Sequence, residues 1–192
     1  MLDAQRSAKS LHNRLAAAGA RLRGIVLERT RASTLTVGSN LAVGRNVEVE
    51  IYGQLILGDN VTLSSGCFLS VGPKGRLEIG DKVFIGRGTV VVAAGSIRIG
   101  AGADIAEHCT IRDSDHALEI ADRHAGEAVI TPVTLGRGCW IGAGARILRG
   151  TDLGEGVVVG ANAVVRGTFP SHVVVAGVPA RTIKTLRPSA AP

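Results

Sequence analysis

Large aromatic side chains are scarce in this chain. Phe, Trp and Tyr make up 3% of its 192 residues, although hydrophobic residues as a whole make up 45%. A core with so few rings must be filled by Val, Ile, Leu and Ala, which suits a narrow interior lined by repeated branched side chains. The length allows one domain with a full core and leaves little room for a second.

Long apolar runs are absent as well, and cysteines are few. No stretch has the length and purity of a membrane span, and charges are scattered through the first 20 residues, so we expect neither stable membrane insertion nor a secretion signal. The three cysteines, Cys67, Cys109 and Cys139, are odd in number and lie far apart, without the short spacings of a zinc site. The sequence therefore predicts a cytoplasmic protein with no bound metal.

Positive charge is concentrated at the N-terminus. The formal net charge is +6, yet residues 1–32 alone hold seven Lys or Arg against two Asp or Glu. Nucleic-acid binders more often spread basic residues over a surface with interleaved aromatics, so we expect no nucleic-acid partner. The extension also carries an apolar stripe at helical spacing, Leu11, Leu15, Ala18, Leu22 and Ile25. We expect a short N-terminal α-helix that covers the open end of the domain, or else binds a membrane surface or a partner.

The rest of the chain repeats with a period of six residues. Aliphatic residues recur at this spacing late in the chain, and glycine directly follows four of them. These positions are Leu135, Ile141, Ile147, Leu153, Val159 and Val165. The same phase restarts upstream after short slips, in blocks that begin at Val37, Leu57, Ile79 and Ile99. The structural unit is therefore a coil of about eighteen residues, built from three hexads.

Each hexad can form a short strand followed by a tight corner. The aliphatic residue points inward, and Gly or Asn lets the backbone bend with a positive φ. Three corners close a triangular coil, which must stack on its neighbours to bury its inward residues. A β-sandwich would have strands 8 to 12 residues apart without a strict phase, so the pattern disfavours it. The sequence predicts an all-β solenoid of about six coils over residues 33–176.

The six-residue rhythm breaks once, between Ile111 and Leu135. The inserted segment, residues 113–131, holds His116, His124 and several carboxylates. A loop of this length inside a tight solenoid is more often functional than incidental. We expect it to protrude from one corner toward a neighbouring subunit.

Three sequence runs carry specific motifs: IAEHCTIRDSDH, PVTLGRGCWIGAGARILRG and VVVAGVPARTIK. Together they resemble the motifs of the hexapeptide-repeat acyltransferases, most closely the galactoside, maltose and nodulation-type O-acetyltransferases. The resemblance implies a left-handed parallel β-helix that assembles as a homotrimer with active sites between subunits. It also implies acetyl-CoA as the donor and a hydroxyl of a sugar or sugar-containing small molecule as the acceptor.

By the same resemblance, His116 is the general base that takes the proton of the acceptor hydroxyl. Asp113 or Asp115 would hold the imidazole in one tautomer, as carboxylates commonly do, although either could instead be a solvated turn residue. His108 falls at a corner, where packing is the simpler role.

The resemblance also assigns residues to the donor. Trp140 would line the groove for the acceptor or the pantetheine arm, and the backbone amides near Gly142 and Ala143 would stabilise the oxyanion. Ala161 would let the pantetheine arm approach closely. The phosphates would bind to Arg166, Arg181 and Lys184 and to the turn that holds Gly177 and Pro179. Residues 177–192 are thus interpreted as a coenzyme-binding tail.

Other functions remain open from the sequence. N-acylation of an amino sugar fits as well as O-acylation, and Gly86 stands where galactoside acetyltransferases place an acceptor-binding asparagine. The γ-carbonic anhydrases share the fold, but their zinc site needs two histidines five residues apart. The gaps from His108 to His116 and from His116 to His124 are both eight. A non-catalytic scaffold would need neither the loop histidine nor the C-terminal cations.

Overall fold

In the computed structural model, residues 25–28, 35–116 and 128–186 are described, and every regular element within these ranges is a β-strand. In chain order the strands are β1 (Ile25–Glu28), β2 (Leu35–Val37), β3 (Ala42–Val43), β4 (Val47–Ile51), β5 (Gln54–Leu57), β6 (Thr62–Leu63), β7 (Phe68–Val71), β8 (Arg76–Ile79), β9 (Phe84–Ile85), β10 (Val90–Ala93), β11 (Ser96–Ile99), β12 (Asp104–Ile105), β13 (Thr110–Arg112), β14 (Ser114–His116), β15 (Ala128–Ile130), β16 (Val133–Leu135), β17 (Trp140–Ile141), β18 (Arg146–Leu153), β19 (Val158–Val159), β20 (Val164–Phe169), β21 (Val173–Gly177) and β22 (Ala180–Thr185).

The strands stack in parallel to form the three faces of a prism. The first face consists of β1, β4, β7, β10 and β13, followed by the first halves of β18 and β20. The second consists of β2, β5, β8, β11 and β16, followed by the second halves of the same two strands. The third consists of β3, β6, β9, β12, β17, β19 and β21, with β22 added antiparallel at its end. The predicted β-solenoid of about six coils is confirmed.

Stacked columns of aliphatic side chains fill the interior. On the third face, each residue of the column pairs in register with its equivalent in the next coil. These residues are Val43, Leu63, Ile85, Ile105, Ile141, Val159 and Val175. All except the first are at most 2% exposed. The six-residue phase of the sequence therefore predicts which side chains point inward.

The three cysteines belong to this interior. Cys67, Cys109 and Cys139 are each 1% exposed and free. Their thiols lie 3.2 to 3.3 Å from the carbonyl oxygens of Gly86, Gly142 and Gly154 respectively. Burial raises the pKa of each thiol above its ordinary value.

The prediction of an N-terminal helix is wrong at Ile25, the one residue of its apolar stripe that is described. Ile25 begins strand β1, which pairs in parallel with β4 through the register Ile25↔Val47. The rest of the predicted apolar stripe lies outside the described residues. A strand at this position satisfies the open edge of β4 by backbone pairing, and the run IVLE has the branched residues that favour it. Within the described ranges no helix is long and apolar enough to cross a bilayer.

Candidate active site

A β-hairpin leaves the solenoid at the corner between the first and second faces. Its strands β14 and β15 are antiparallel, with Asp115 opposite Val129 and His116 opposite Ala128. His116 is exposed at the outer end of β14. Residues 117–127, which include His124, lie outside the described ranges. The predicted insertion therefore begins and ends as a paired stem.

At the base of this stem, the Asp113 carboxylate accepts hydrogen bonds that a backbone carbonyl accepts in earlier coils. In earlier coils the first amide of the corner donates to a carbonyl of the next coil, as Gly72 does to Ala93 at 2.8 Å. At the insertion the next coil turns outward, and the Asp113 carboxylate accepts instead from the amides of Ala94 (2.8 Å) and Gly95 (2.7 Å). Asp113 is 0% exposed, so it is not the solvated turn residue that one interpretation expected. Its oxygens make no hydrogen bond to His116 among the described residues.

Asp115 is held by an arginine that the sequence analysis did not select. Arg149 on β18 donates from Nε to Oδ2 of Asp115 at 2.8 Å and from Nη1 to the hydroxyl of Thr131 at 3.3 Å. The Arg149 side chain is 18% exposed. The only signal in the sequence was charge complementarity, since an arginine follows the acid-rich insertion one coil later.

The predicted donor residues other than Arg166 gather on the third face and at the corner that leads from it to the first face. Trp140 points outward and is 55% exposed, as the alternation on β17 predicts. It stands in register with Asp104 on one side and Val158 on the other. The same outward column continues through Val174 to Lys184 on β22.

Gly142 and Ala143 differ in what their amides can do. The Gly142 amide donates to the carbonyl of Val159 at 2.8 Å, so it has no free proton for an oxyanion. A Cβ at Gly142 would lie 2.7 Å from the Ala161 nitrogen, which shows how closely the coils stack here. The Ala143 amide makes no hydrogen bond to any described residue. Of the two predicted oxyanion donors, Ala143 is the one that remains available.

The C-terminal residues form an edge strand on this face. β22 runs antiparallel to β21, which ends at Gly177 with φ +103°, and the turn between the two strands contains the cis peptide bond before Pro179. Arg181 lies opposite Ala176, and Lys184 lies opposite Val174; both cations are exposed. The coenzyme-binding role of this segment stays a prediction.

The predicted site residues thus fall into two groups on different corners. The hairpin group is His116, Asp113 and Asp115, with Arg149 beside them. Arg166 belongs to the same corner, because it follows Val165 at the end of the first face. The donor group, around Ala143 and Ala161, lies at the opposite end of that face. Ala143 and Arg149 are six residues apart in one coil, about 20 Å along an extended strand.

A groove of about 630 Å³ lies in the N-terminal coils along the corner of the donor group. Its wall includes the ring of Phe84, which is 42% exposed, and the side chains of Ser65, Arg87 and Glu107. Gly86 also lines it. Gly86 and Gly142 occupy equivalent positions in the hexad, directly after Ile85 and Ile141 of one inward column. The groove and the donor group therefore share one edge of the prism.

Two other expectations concern histidine and metal. His108 occupies a corner with φ +57°, and its ring lies over Gly88, where an added Cβ would meet Nδ1 at 2.7 Å. This placement agrees with a packing role. Within the part of the chain that the structure describes, no group of three His, Cys, Asp or Glu side chains could hold a metal ion.

Comparison with known proteins identifies the family. The profile "Bacterial transferase hexapeptide (six repeats)" matches residues 132–167. WbbJ of Escherichia coli K12, named as an O-acetyl transferase of lipopolysaccharide biosynthesis, is 33% identical over 141 residues, which cover 69% of this chain and 72% of WbbJ. The chain belongs to the hexapeptide-repeat acyltransferase family. The resemblance found in the sequence motifs is confirmed, while the left-handed winding stays a prediction.

This hexapeptide-repeat acyltransferase is also similar to one further protein in sequence and to another in structure. Rv3034c of Mycobacterium tuberculosis, named as an acetyltransferase, is 34% identical over 151 residues, or 74% of this chain; the match spans only 49% of that longer protein. Among solved structures, a mutant of AntD, an N-acyltransferase from Bacillus cereus in complex with dTDP and coenzyme A, superposes with a TM-score of 0.68 at 25% identity. The match covers 79% of this chain and 84% of AntD.

Proposed function

We propose that this protein transfers an acetyl group from acetyl-CoA to a hydroxyl of a sugar or sugar-containing metabolite, with His116 as the general base. The observation that carries the proposal is the exposed His116 on a stem anchored to a hexapeptide solenoid, with small residues on the corner across the first face. Relatives named as acetyltransferases support the reaction class. Coenzyme A in the AntD complex supports the donor.

The chemistry needs one base and one oxyanion donor. The imidazole of His116 takes the proton of the acceptor hydroxyl as that oxygen bonds to the thioester carbonyl carbon. The negative charge moves to the carbonyl oxygen, which the amide of Ala143 would stabilise. The intermediate collapses when the carbon–sulfur bond breaks, and the imidazolium returns its proton to the thiolate. Free coenzyme A and an acetyl ester result, without a covalent enzyme intermediate.

The two residue groups require more than one subunit. Because His116 and Ala143 lie at opposite ends of the first face, one chain cannot present both to the same thioester. A homotrimer would place the hairpin corner of one subunit beside the donor corner of the next, and a closed cyclic assembly completes three such sites. Arg166 would then join Arg181 and Lys184 near the coenzyme phosphates.

The acceptor is proposed to bind in the groove of the N-terminal coils. A half-exposed aromatic ring with hydroxyl, carboxylate and guanidinium groups around it suits a carbohydrate, whose faces are apolar and whose edges are polar. The likeness to AntD keeps transfer to an amino sugar as the second candidate.

Three free, buried cysteines fit a reducing compartment, so we place the protein in the cytoplasm.

The first test is the substitution His116→Ala. Turnover should fall by about a hundredfold or more, because general-base catalysis is lost, while acetyl-CoA binding measured by calorimetry should be retained. The readout is thiol release from acetyl-CoA with a panel of sugars and amino sugars. His172→Asn is the matched control, since His172 has a positive φ at a corner remote from the hairpin and Asn tolerates that conformation. Undiminished turnover in His116→Ala would remove the proposed base.

A further inference from the structure

Strand β18 carries an irregularity directly beneath the hairpin. Ile147 pairs with Val165 and Thr151 with Gly167, so three residues of β18 stand opposite the single residue Arg166 of β20. The hydroxyl of Thr151, which is 0% exposed, closes this bulge by donating to the Leu148 carbonyl at 2.7 Å. Bulges of this kind commonly re-aim a side chain beside an active site.

The bulge brings Arg149 and Gly150 against both sides of the hairpin stem. On the entering strand, the guanidinium binds the Asp115 carboxylate at 2.8 Å. Directly after the leaving strand β15, where the Thr131 amide still pairs with the Asp113 carbonyl, the guanidinium binds the Thr131 hydroxyl at 3.3 Å, and the Gly150 amide lies 3.2 Å from the Thr131 and Pro132 carbonyls. The bulge therefore connects the two strands of the stem to the solenoid.

The contact to Asp115 determines where His116 can point. Successive side chains of a strand lie on opposite sides. Because Asp115 faces Arg149 on one side of β14, His116 lies on the other side. A free hairpin could twist about its stem and carry the imidazole with it. Two bonds from one planar guanidinium to the two strands resist that twist more than a single point contact would.

We propose that Arg149 is a positioning residue, which fixes the orientation of the His116 imidazole by holding both strands of the hairpin stem. This inference rests on the proposed function of His116. It assigns Asp115 to the stem, through Arg149, in place of a direct bond to the imidazole. The acyl transfer itself needs no group from Arg149.

The experiment compares Arg149→Ala with Arg98→Ala in the assembled full-length protein. Arg98 lies on β11 of the second face, and its Nε donates to Glu78 on β8 at 3.0 Å, so its substitution also removes a contact between a guanidinium and a carboxylate. We expect Arg149→Ala to lower kcat by about 10- to 100-fold, because small misplacements of a catalytic group have effects of this size. KM for acetyl-CoA should stay within about twofold of wild type, since the donor corner is untouched. Arg98→Ala should leave both constants near wild type.

Two further variants separate positioning from a general structural role. Arg149→Lys keeps the charge and one contact, so it should recover part of the lost kcat. Asp115→Asn removes the same contact from the other partner, and adding it to Arg149→Ala should cause little further loss. If Arg149→Ala fails to fold, Asp115→Asn alone tests the proposal, and it should lower kcat because it removes the same contact.

The outcomes distinguish this inference from the proposed function. A kcat within twofold of wild type in Arg149→Ala, alongside an inactive His116→Ala variant, overturns the positioning role and leaves the base intact. Fully additive losses in the double variant, or equal losses in Arg98→Ala, also overturn it. Activity that persists in His116→Ala would instead reject the base itself.

Discussion

The corner between the second and third faces is built very differently from the corner that carries the hairpin. The former recurs in coil after coil, with one positive-φ residue whose amide donates to the coil before it, as Asn60 donates to Ser39 and Gly102 to Asp81, both at 2.8 Å. At the hairpin corner, side chains take over: Asp113 receives two backbone amides, and Arg149 joins the stem to the next coil. Backbone hydrogen bonds therefore stabilise the repeated corner, whereas charged side chains stabilise the hairpin corner.

This difference separates stability from activity. The regular coils owe their stability to buried aliphatic columns and to backbone pairing, which continue past any single residue. The hairpin corner depends on a few polar contacts that no neighbouring coil duplicates. Changes in the columns should therefore alter unfolding, whereas changes at the hairpin corner should alter both unfolding and turnover.

The largest expected effect comes from Asp113→Ala compared with Leu69→Ala. Leu69 is 0% exposed in a regular coil, and its truncation should lower the free energy of unfolding by about 2–5 kcal/mol through the cavity it leaves. Asp113→Ala leaves the partly buried amides of Ala94 and Gly95 without their acceptor, at a cost of at most about 1–3 kcal/mol for each. The two variants are compared by urea unfolding, which gives the free energy of unfolding, and by kcat, both measured well below the melting temperature. Only Asp113→Ala should lower kcat, and equal kcat values in the two variants would argue against a separate role for the hairpin corner.

A smaller effect distinguishes two glycines of one coil. At Gly142 a Cβ would lie 2.7 Å from backbone atoms of the next coil, which cannot move without separating the coils, so Gly142→Ala should cost about 1–3 kcal/mol. At Gly138 nothing lies within 4 Å of the added Cβ, and only the positive φ of 62° opposes alanine, at about 1–2 kcal/mol. In thermal unfolding, the melting temperature of Gly142→Ala should be lower than that of Gly138→Ala. The reverse order would mean that backbone strain outweighs coil spacing in this solenoid.

The sequence predicts the regular part of the molecule well because every coil repeats the same local requirement. The inward column from Leu63 to Val159 and the outward position of Trp140 both follow from the hexad phase. A short period in sequence maps directly onto neighbours in space, so each prediction is supported by several others.

The hairpin corner could not be worked out in the same way. Asp113 lies three residues before His116 in sequence, which suggests catalysis, but its actual partners are the amides of Ala94 and Gly95, 18 to 19 residues earlier. Arg149 meets Asp115 across 34 residues of sequence, beyond any local pattern. The strand at Ile25 depends on the open edge of β4, which a helical stripe in sequence does not reveal.

The smallest expected effect concerns alkaline pH and tests whether the regular interior is uniformly dry. Burial raises the pKa of the Cys67, Cys109 and Cys139 thiols, whereas in the unfolded chain they titrate at about 8.5. Below that pH both states keep their protons, so this source of stability is fully present. As the pH rises above it, the unfolded chain releases protons that the folded chain still holds, and the free energy of unfolding falls until the raised pKa of each folded thiol is passed. Urea unfolding at about pH 7.5 and pH 8.5 should show a loss about 1 kcal/mol larger for the wild type than for a variant with all three cysteines changed to alanine. Because the two proteins differ only at the three cysteines, equal losses would mean that water reaches the thiols and that the coils open more readily than the packed columns suggest.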